Sequence, residues 1–397
     1  MKSYLSHLEC SRCGQHYSAS KPHNVCPACG KVLLARYDLV ALKQAFSRDE
    51  LSHRPASMWR YYELMPVSQQ QNVVSLGEGM TPLLKAERLG ESLGCDSLFI
   101  KDEGTNPTGT FKSRGLSAAV SKAKELGIKS MVMPTAGNAG SALAAYAARA
   151  GIEAHVFMPD DTPAMNKVEC LTYGAHCYFV KGNISDAGKA ARESGQGKGW
   201  FDASTFKEPY RVEGKKTMGI ELAEQLGWSM PDAIIYPAGG GTGLVGIWKA
   251  FDELEALGWL KGKRPRMIAV QSAGCAPIVS AFSRKREFAE AWTNPATIAT
   301  GLKVPAPFAD YLILKVLYDS QGTAVAASEE QIVAAIKEMA RLEGVLACPE
   351  GAATLAALKY LLGQGFLSPK ETIVLLNTGS GLKYPEVISA TLPEMAR

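Results

Sequence analysis

A chain of 397 residues with 46% hydrophobic content and 38 glycines is long enough for two or more cores. It has the composition of an α/β enzyme rather than of a disordered or fibrous protein. The net charge of +4 is too mild to imply nucleic acid, and no basic run with interleaved aromatics appears. Nine cysteines do not make a disulfide scaffold at this size. No apolar core of a signal peptide is read in Met1–Cys10, and no run of roughly 18 apolar residues exists to span a membrane. A cytosolic setting is therefore expected.

Four of the cysteines form two pairs near the start, Cys10-x-x-Cys13 and Cys26-x-x-Cys29, each followed by glycine (Gly14, Gly30). A glycine there permits the tight turn that aims two thiolates at one centre. Two such knuckles predict a ribbon with a tetrahedral four-sulfur site suited to structural zinc. Cys95, Cys170, Cys177, Cys275 and Cys348 are scattered and are read as core thiols. Leu39, Leu42 and Phe46 predict a short helix, and Met58–Tyr62 an aromatic packing segment, in a connector that runs to about residue 75. A further helix is expected over Lys85–Leu93.

From residue 98 onward short apolar strands alternate with helical stretches. Strands are predicted at Leu98–Lys101, Ser130–Met133, Ala154–Phe157, Cys177–Val180, Ala233–Tyr236, Met267–Gln271 and Thr372–Leu376. Helices are predicted at Ser117–Leu126, Ser141–Arg149, Pro163–Tyr173, Ile184–Ser194, Lys215–Leu226, Leu244–Leu257 and Glu329–Glu343. Such alternation gives parallel sheets wrapped by helices, and its length exceeds one comfortable core, so two α/β domains are expected. No short-period repeat or low-complexity tract is present.

Four loops at strand–helix junctions carry polar chemistry. In Asn106-Pro-Thr-Gly-Thr-Phe-Lys112-Ser-Arg-Gly115, Pro107 and Gly109 force a turn that leaves Lys112 at the start of a helix. The positive end of a helix disfavours an ammonium there, and a neutral amine condenses with an aldehyde. The loop Pro134-Thr-Ala-Gly-Asn-Ala-Gly-Ser141 leaves room for a flat group beside the amide of Asn138. In the third loop, Gly239, Gly240, Gly241, Thr242 and Gly243 let successive N–H groups converge on a phosphate at a helix N-terminus. It lacks the lysine of a nucleotide-hydrolysing P-loop. The last, Asn377-Thr-Gly-Ser-Gly-Leu-Lys383, follows an apolar strand and presents the hydroxyl of Thr378 where open parallel sheets bind ligands. Each alone is an ordinary turn. Together they fit pyridoxal 5′-phosphate, an electron sink for a carbanion at an amino-acid Cα.

The segment Lys101-x-Glu103 to Lys112-x-Arg-Gly115 resembles the Schiff-base region of threonine synthases. So do Ala-Gly-Asn138, Arg211-x-Glu-Gly-x-Lys-Thr217, Thr-Gly-x-Gly-Leu-Lys383 and the N-terminal cysteine pairs. The resemblance covers nearly the whole chain. It implies a fold type II pyridoxal phosphate enzyme of the tryptophan synthase beta-like class, with two parallel-sheet domains and a homodimeric assembly. Carried over by position, Lys112 holds the cofactor and moves the Cα proton, and Asn138 bonds its ring oxygen. Gly239–Gly243 take its phosphate and Thr378 its pyridine nitrogen. Lys101 and Arg211 meet an anionic substrate, and Cys10, Cys13, Cys26 and Cys29 bind zinc. The expected domains are a ribbon at 1–37, a larger cofactor-binding domain from 38–115 and 206–397, and a smaller one at 116–205.

The chain departs from the family where Ser113 stands for an aspartate and Ala139 for a threonine that helps hold a substrate phosphate. The leading expectation is threonine synthase, acting on O-phosphohomoserine and water. The alternatives are a threonine or serine ammonia-lyase and β-replacement on a phosphorylated serine. From another class, a catalytically silent relative that uses its ribbon to bind a partner is opposed by the intact Lys112 and Asn138.

Overall fold

The structure, a computed structural model, describes residues 1–390, so the last residues of the expected 206–397 segment lie outside it. By their contacts the residues form two units. One comprises Met1–Met80, Lys112–Glu221 and Val245–Lys261; the other comprises Thr81–Phe111, Leu222–Leu244 and the chain from Gly262 onward.

In the second unit, six strands lie in the order Thr323–Ala327, Arg266–Ser272, Ala233–Pro237, Thr372–Asn377, Ser97–Asp102, Leu83–Lys85. Runs such as Ala233–Pro237, buried at every position, are what a parallel sheet covered on both faces requires. All neighbours pair parallel except Leu83–Lys85, which runs antiparallel on the edge. The register Asn377↔Asp102 brings two strand ends level, and Asn377 Nδ2 donates to Asp102 Oδ1 at 2.8 Å. The loops after Asp102, Pro237 and Asn377 therefore leave one edge of the sheet from three adjacent strands.

The first unit holds a parallel sheet in the order His176–Val180, Glu153–Pro159, Ser130–Pro134, Phe201–Asp202. The loops beginning at Thr135 and Ala203 follow neighbouring strands. The same unit contains the ribbon, an antiparallel sheet of His16–Tyr17, Leu5–Cys10 and Leu33–Tyr37. The expected fold class, two parallel-sheet bodies with a ribbon-like extension, is the observed one.

Two expectations need correction. The helix read over Lys85–Leu93 begins only at Glu87. The Ala86 N–H donates to Leu98 O at 2.9 Å, which keeps the chain extended through Lys85. The strand Thr323–Ala327 and the helices Pro277–Ser283, Asp310–Asp319 and Pro349–Gly363 were not expected. The last of these is buried continuously from Pro349 to Leu358, so no polar stripe marks its period.

Two helices that begin in the first unit, Lys112–Glu125 and Arg211–Gln225, approach closely where they carry glycine: a Cβ on Gly214 would lie 2.0 Å from the Arg114 carbonyl oxygen. Arg114 is fully buried and forks onto Glu221, Nη1 to Oε1 at 2.5 Å and Nη2 to Oε2 at 2.7 Å, with Thr217 Oγ1 at 3.0 Å. Breaking such a pair strands an uncompensated charge. Glu221→Ala is expected to destabilise the protein by about 3–5 kcal/mol, seen as a lower denaturant midpoint. A midpoint unchanged from wild type would show that the pair contributes nothing.

Candidate active site

In the second unit the loop ahead of Lys112 is laced to the loop that carries Thr378. Phe111 N–H donates to Thr378 O at 3.0 Å and Ser380 N–H to Gly109 O at 2.8 Å, with a bridge between Thr110 and Gly379. Thr108 and Gly109 both have left-handed backbone (φ 57° and 65°), so the turn is sharp as the sequence requires. Asn106 Nδ2 is fixed on Glu103 Oε2 at 2.8 Å, and Glu103 also accepts from Thr81 Oγ1 at 2.6 Å. Thr378 is buried, with Cys348 Sγ at 3.8 Å from its hydroxyl. Burial raises the Cys348 thiol well above its ordinary range, so it stays protonated beside Thr378.

The glycine loop lies along the same sheet edge and leads into the helix Thr242–Ala256. A Cβ on Gly239 would sit 2.2 Å from Gly301 O, one on Gly241 2.3 Å from Ile313, and one on Gly243 2.4 Å from the Tyr236 hydroxyl. Bare backbone is thus enforced from the protein side. With Thr242 buried at the helix start, the loop presents N–H groups and a hydroxyl in the chemistry a phosphate takes. Glu350 Oε1 supports this region by accepting from Gly301 N–H at 2.6 Å and from the Tyr384 hydroxyl at 2.8 Å. Lys101 is fully buried, its Nζ donating to Thr81 O at 2.8 Å and Gln225 Oε1 at 2.9 Å.

In the first unit Lys112 is half-buried at the first position of its helix. Asn138 opens the helix Asn138–Ala150, where Oδ1 accepts from Asn166 Nδ2 at 2.9 Å. Gly137 before it has φ 154° and its N–H is held by Thr135 Oγ1 at 3.1 Å. Arg211 opens another helix and is buried. Its Nη1 donates to Ala203 O at 2.7 Å, whereas Nε and Nη2 are buried without a hydrogen-bond partner among the described residues. Glu208 accepts from the N–H groups of Tyr210 at 2.7 Å and Arg211 at 3.0 Å. Burial pushes its carboxyl up to about 7, against the pull of the Arg211 guanidinium. Two carboxyl groups, Glu208 and Asp202, act on the guanidinium charge. Two such guanidinium nitrogens in a buried setting are the donor set an oxyanion takes.

In the ribbon the sulfurs stand at 3.4 Å (Cys10–Cys29) and 3.6 Å (Cys13–Cys26 and Cys13–Cys29). A zinc tetrahedron with bonds of about 2.3 Å separates sulfurs by about 3.8 Å, so the four thiols fit one ion with little adjustment. Gly14 and Gly30 have φ 69° and 70°, the left-handed turns expected of two knuckles. No helix among the described residues is long and apolar enough to cross a membrane.

Sequence reasoning missed Asn24, Glu208, Cys348 and Glu350 as parts of this architecture. Asn24, Cys348 and Glu350 act through contacts to residues far away in sequence, which no local pattern records, and Glu208 meets the nearby N–H groups of Tyr210 and Arg211.

Residues 74–379 match the family described as pyridoxal-phosphate dependent enzyme. The chain is 37% identical to the threonine synthase of Methanocaldococcus jannaschii, covering 95% of this chain and 93% of that one. It is 36% identical to the threonine synthase of Methanosarcina acetivorans, covering 97% and 94%. Among solved structures it is similar to threonine deaminase isoform 2 from Solanum lycopersicum, with TM-score 0.68, 21% identity and coverage of 87% and 94%. Maize serine racemase superimposes with TM-score 0.65, 23% identity and coverage of 76% and 88%. A buried glycine loop at a helix start, a half-buried lysine at another and matches of this extent agree: the chain belongs to the pyridoxal-phosphate dependent enzymes, in the threonine synthase family.

Proposed function

We propose that the enzyme is a threonine synthase, releasing phosphate from O-phosphohomoserine and adding water at Cβ. The observation that carries this reading is Arg211, a buried guanidinium with two nitrogens, Nε and Nη2, that have no hydrogen-bond partner among the described residues. The relatives named threonine synthase support it at 36–37% identity over nearly the whole chain. Bound pyridoxal phosphate supplies a sink for negative charge at the substrate Cα. Lys112 holds it covalently and moves the Cα proton. Asn138 bonds its ring oxygen, Gly239, Gly240, Gly241, Thr242 and Gly243 bind its phosphate, and Thr378 meets the pyridine nitrogen. A neutral hydroxyl at that nitrogen does not keep it protonated, which moderates the sink and limits side reactions. Arg211 takes the substrate phosphate. Lys101 is the second cation of this proposal, and would have to share the ammonium now held by Thr81 and Gln225. The division into 38–115 with 206–397 around the cofactor and 116–205 as a smaller domain belongs to the same reading, as do a homodimer and a cytosolic setting.

Assaying the purified protein side by side with O-phosphohomoserine, threonine and O-phosphoserine tests it. Phosphate and threonine should be formed from the first. No phosphate release from O-phosphohomoserine, with ammonia formed from threonine, would replace the proposal with an ammonia-lyase.

Zinc in the ribbon is part of the proposal and has a structural role, because four thiolates close the coordination sphere and leave no position for catalysis. Chelation should loosen residues 1–37, seen by hydrogen exchange, more than it lowers turnover. Metal analysis giving well under one zinc per chain in carefully prepared protein would count against it.

A further inference from the structure

Asn24 sits on the ribbon between Cys13 and Cys26, and its Nδ2 donates both hydrogens away from the ribbon. One goes to the Asp202 carbonyl at 2.7 Å and the other to the Lys207 carbonyl at 2.8 Å. These carbonyls bracket the short segment Ala203–Phe206. That segment supplies the Ala203 carbonyl that grips Arg211 Nη1 at 2.7 Å, and its Ser204 is anchored through N–H at 2.9 Å and Oγ to Asp202 Oδ1. It is closed by the Lys207 N–H donating to Ser204 O at 3.0 Å.

The segment is also strained. Phe206 has φ 60° and is buried, a left-handed conformation that a bulky side chain keeps only where its surroundings impose it. Two neutral hydrogen bonds are together of the same order as the strain of one such residue. Asn24 is therefore able to decide whether the turn holds. Asparagine suits the task because its amide presents two hydrogens from one nitrogen to two acceptors. A second tie reaches the first turn of the Arg211 helix, where the Tyr37 hydroxyl at the end of the ribbon's last strand donates to Glu213 Oε2 at 2.9 Å. Glu213 lies in a buried cluster with Lys216 at 2.7 Å and Lys249 at 3.0 Å. The ribbon thus contacts the chain on both sides of Arg211, through the carbonyls of residues 202 and 207 and the side chain of Glu213.

We infer that Asn24 is a positioning residue for substrate recognition: the ribbon clamps residues 202–207 so that Arg211 faces the phosphate of the substrate. This rests on the threonine synthase reading and gives the N-terminal extension a task in specificity, beyond metal binding.

Asn24→Ala and Asn24→Asp test it in the full-length, cofactor-loaded enzyme. Alanine removes both donors, and aspartate sets acceptors against two carbonyls. The KM for O-phosphohomoserine should rise about tenfold in the first, as expected for two neutral bonds, and more in the second, with kcat within about twofold. Asn24→Ser, which keeps one donor, should fall between wild type and alanine. The cofactor absorbance and any deamination of threonine should not change, and the amides of 203–207 should exchange faster in all three variants. Unchanged KM, or an equal loss with phosphorylated and unphosphorylated substrates, overturns the inference. If the wild type releases no phosphate, the functional reading fails by itself. Exchange at 203–207 then still judges the clamp: faster exchange in Asn24→Ala upholds it and unchanged exchange refutes it.

Discussion

Lys112→Ala is expected to abolish turnover and to remove the borohydride-reducible bond between protein and cofactor. The backbone on either side of Lys112 places the amine. Phe111 ahead of it is tied to the Thr378 carbonyl at 3.0 Å, and Gly109 accepts from Ser380 at 2.8 Å. Behind it the helix Lys112–Glu125 is locked by the Arg114–Glu221 fork at 2.5 Å. A helix start disfavours an ammonium through the dipole, so the position favours the neutral amine that condenses with an aldehyde. Losing proton transfer alone costs roughly 10²–10⁴-fold, and the covalent tether is lost besides. Arginine is a poor rescue because it stays charged. Peptide mapping after reduction is the check: a reducible adduct on some other lysine of wild type or mutant would show the assignment to be wrong.

The elements most legible in the sequence were those whose signal is local. Ala233–Tyr236 and Thr372–Leu376 are unbroken apolar runs and became central strands. The paired Cys-x-x-Cys knuckles became a cluster whose sulfurs all lie within 4.8 Å of one another. The loops around Gly239 and Thr378 could be placed at strand ends because parallel sheets put ligands there. Long-range partnership was not legible. Arg211-x-Glu-Gly-x-Lys-Thr217 reads as a single motif, yet its members do separate things in the structure. Arg211 holds the 203 carbonyl, Glu213 meets Tyr37, Gly214 admits the Arg114 backbone and Thr217 accepts from Arg114. Spacing along a helix tells which residues share a face, not what that face meets. The same holds for Asn24, a lone asparagine in a cysteine loop until the fold brings residues 202 and 207 against it.

Substrate choice turns on Arg211 and Ala139. A phosphate monoester leaving water needs several charge-assisted donors, and a methyl group at Ala139 cannot be one. One missing bond to a charged group is worth about 1.5–3 kcal/mol, or roughly tenfold to a hundredfold in affinity. The two guanidinium nitrogens of Arg211 that have no partner among the described residues can make good that loss, with Thr205 and Lys101 as further donors. Arg211→Ala should then lower kcat/KM for O-phosphohomoserine by about 10²–10⁴-fold, the worth of two such bonds. Any deamination of threonine should fall far less, since no phosphate is lost there. Equal loss in both reactions would make Arg211 a structural residue that serves only the Ala203 carbonyl and the turn at Glu208. Ala139→Thr is the converse experiment. A hydroxyl at the start of the Asn138–Ala150 helix should lower KM for the phosphorylated substrate and leave that for threonine unchanged. A gain for both substrates alike would trace the effect to packing beside Asn138 rather than to phosphate recognition.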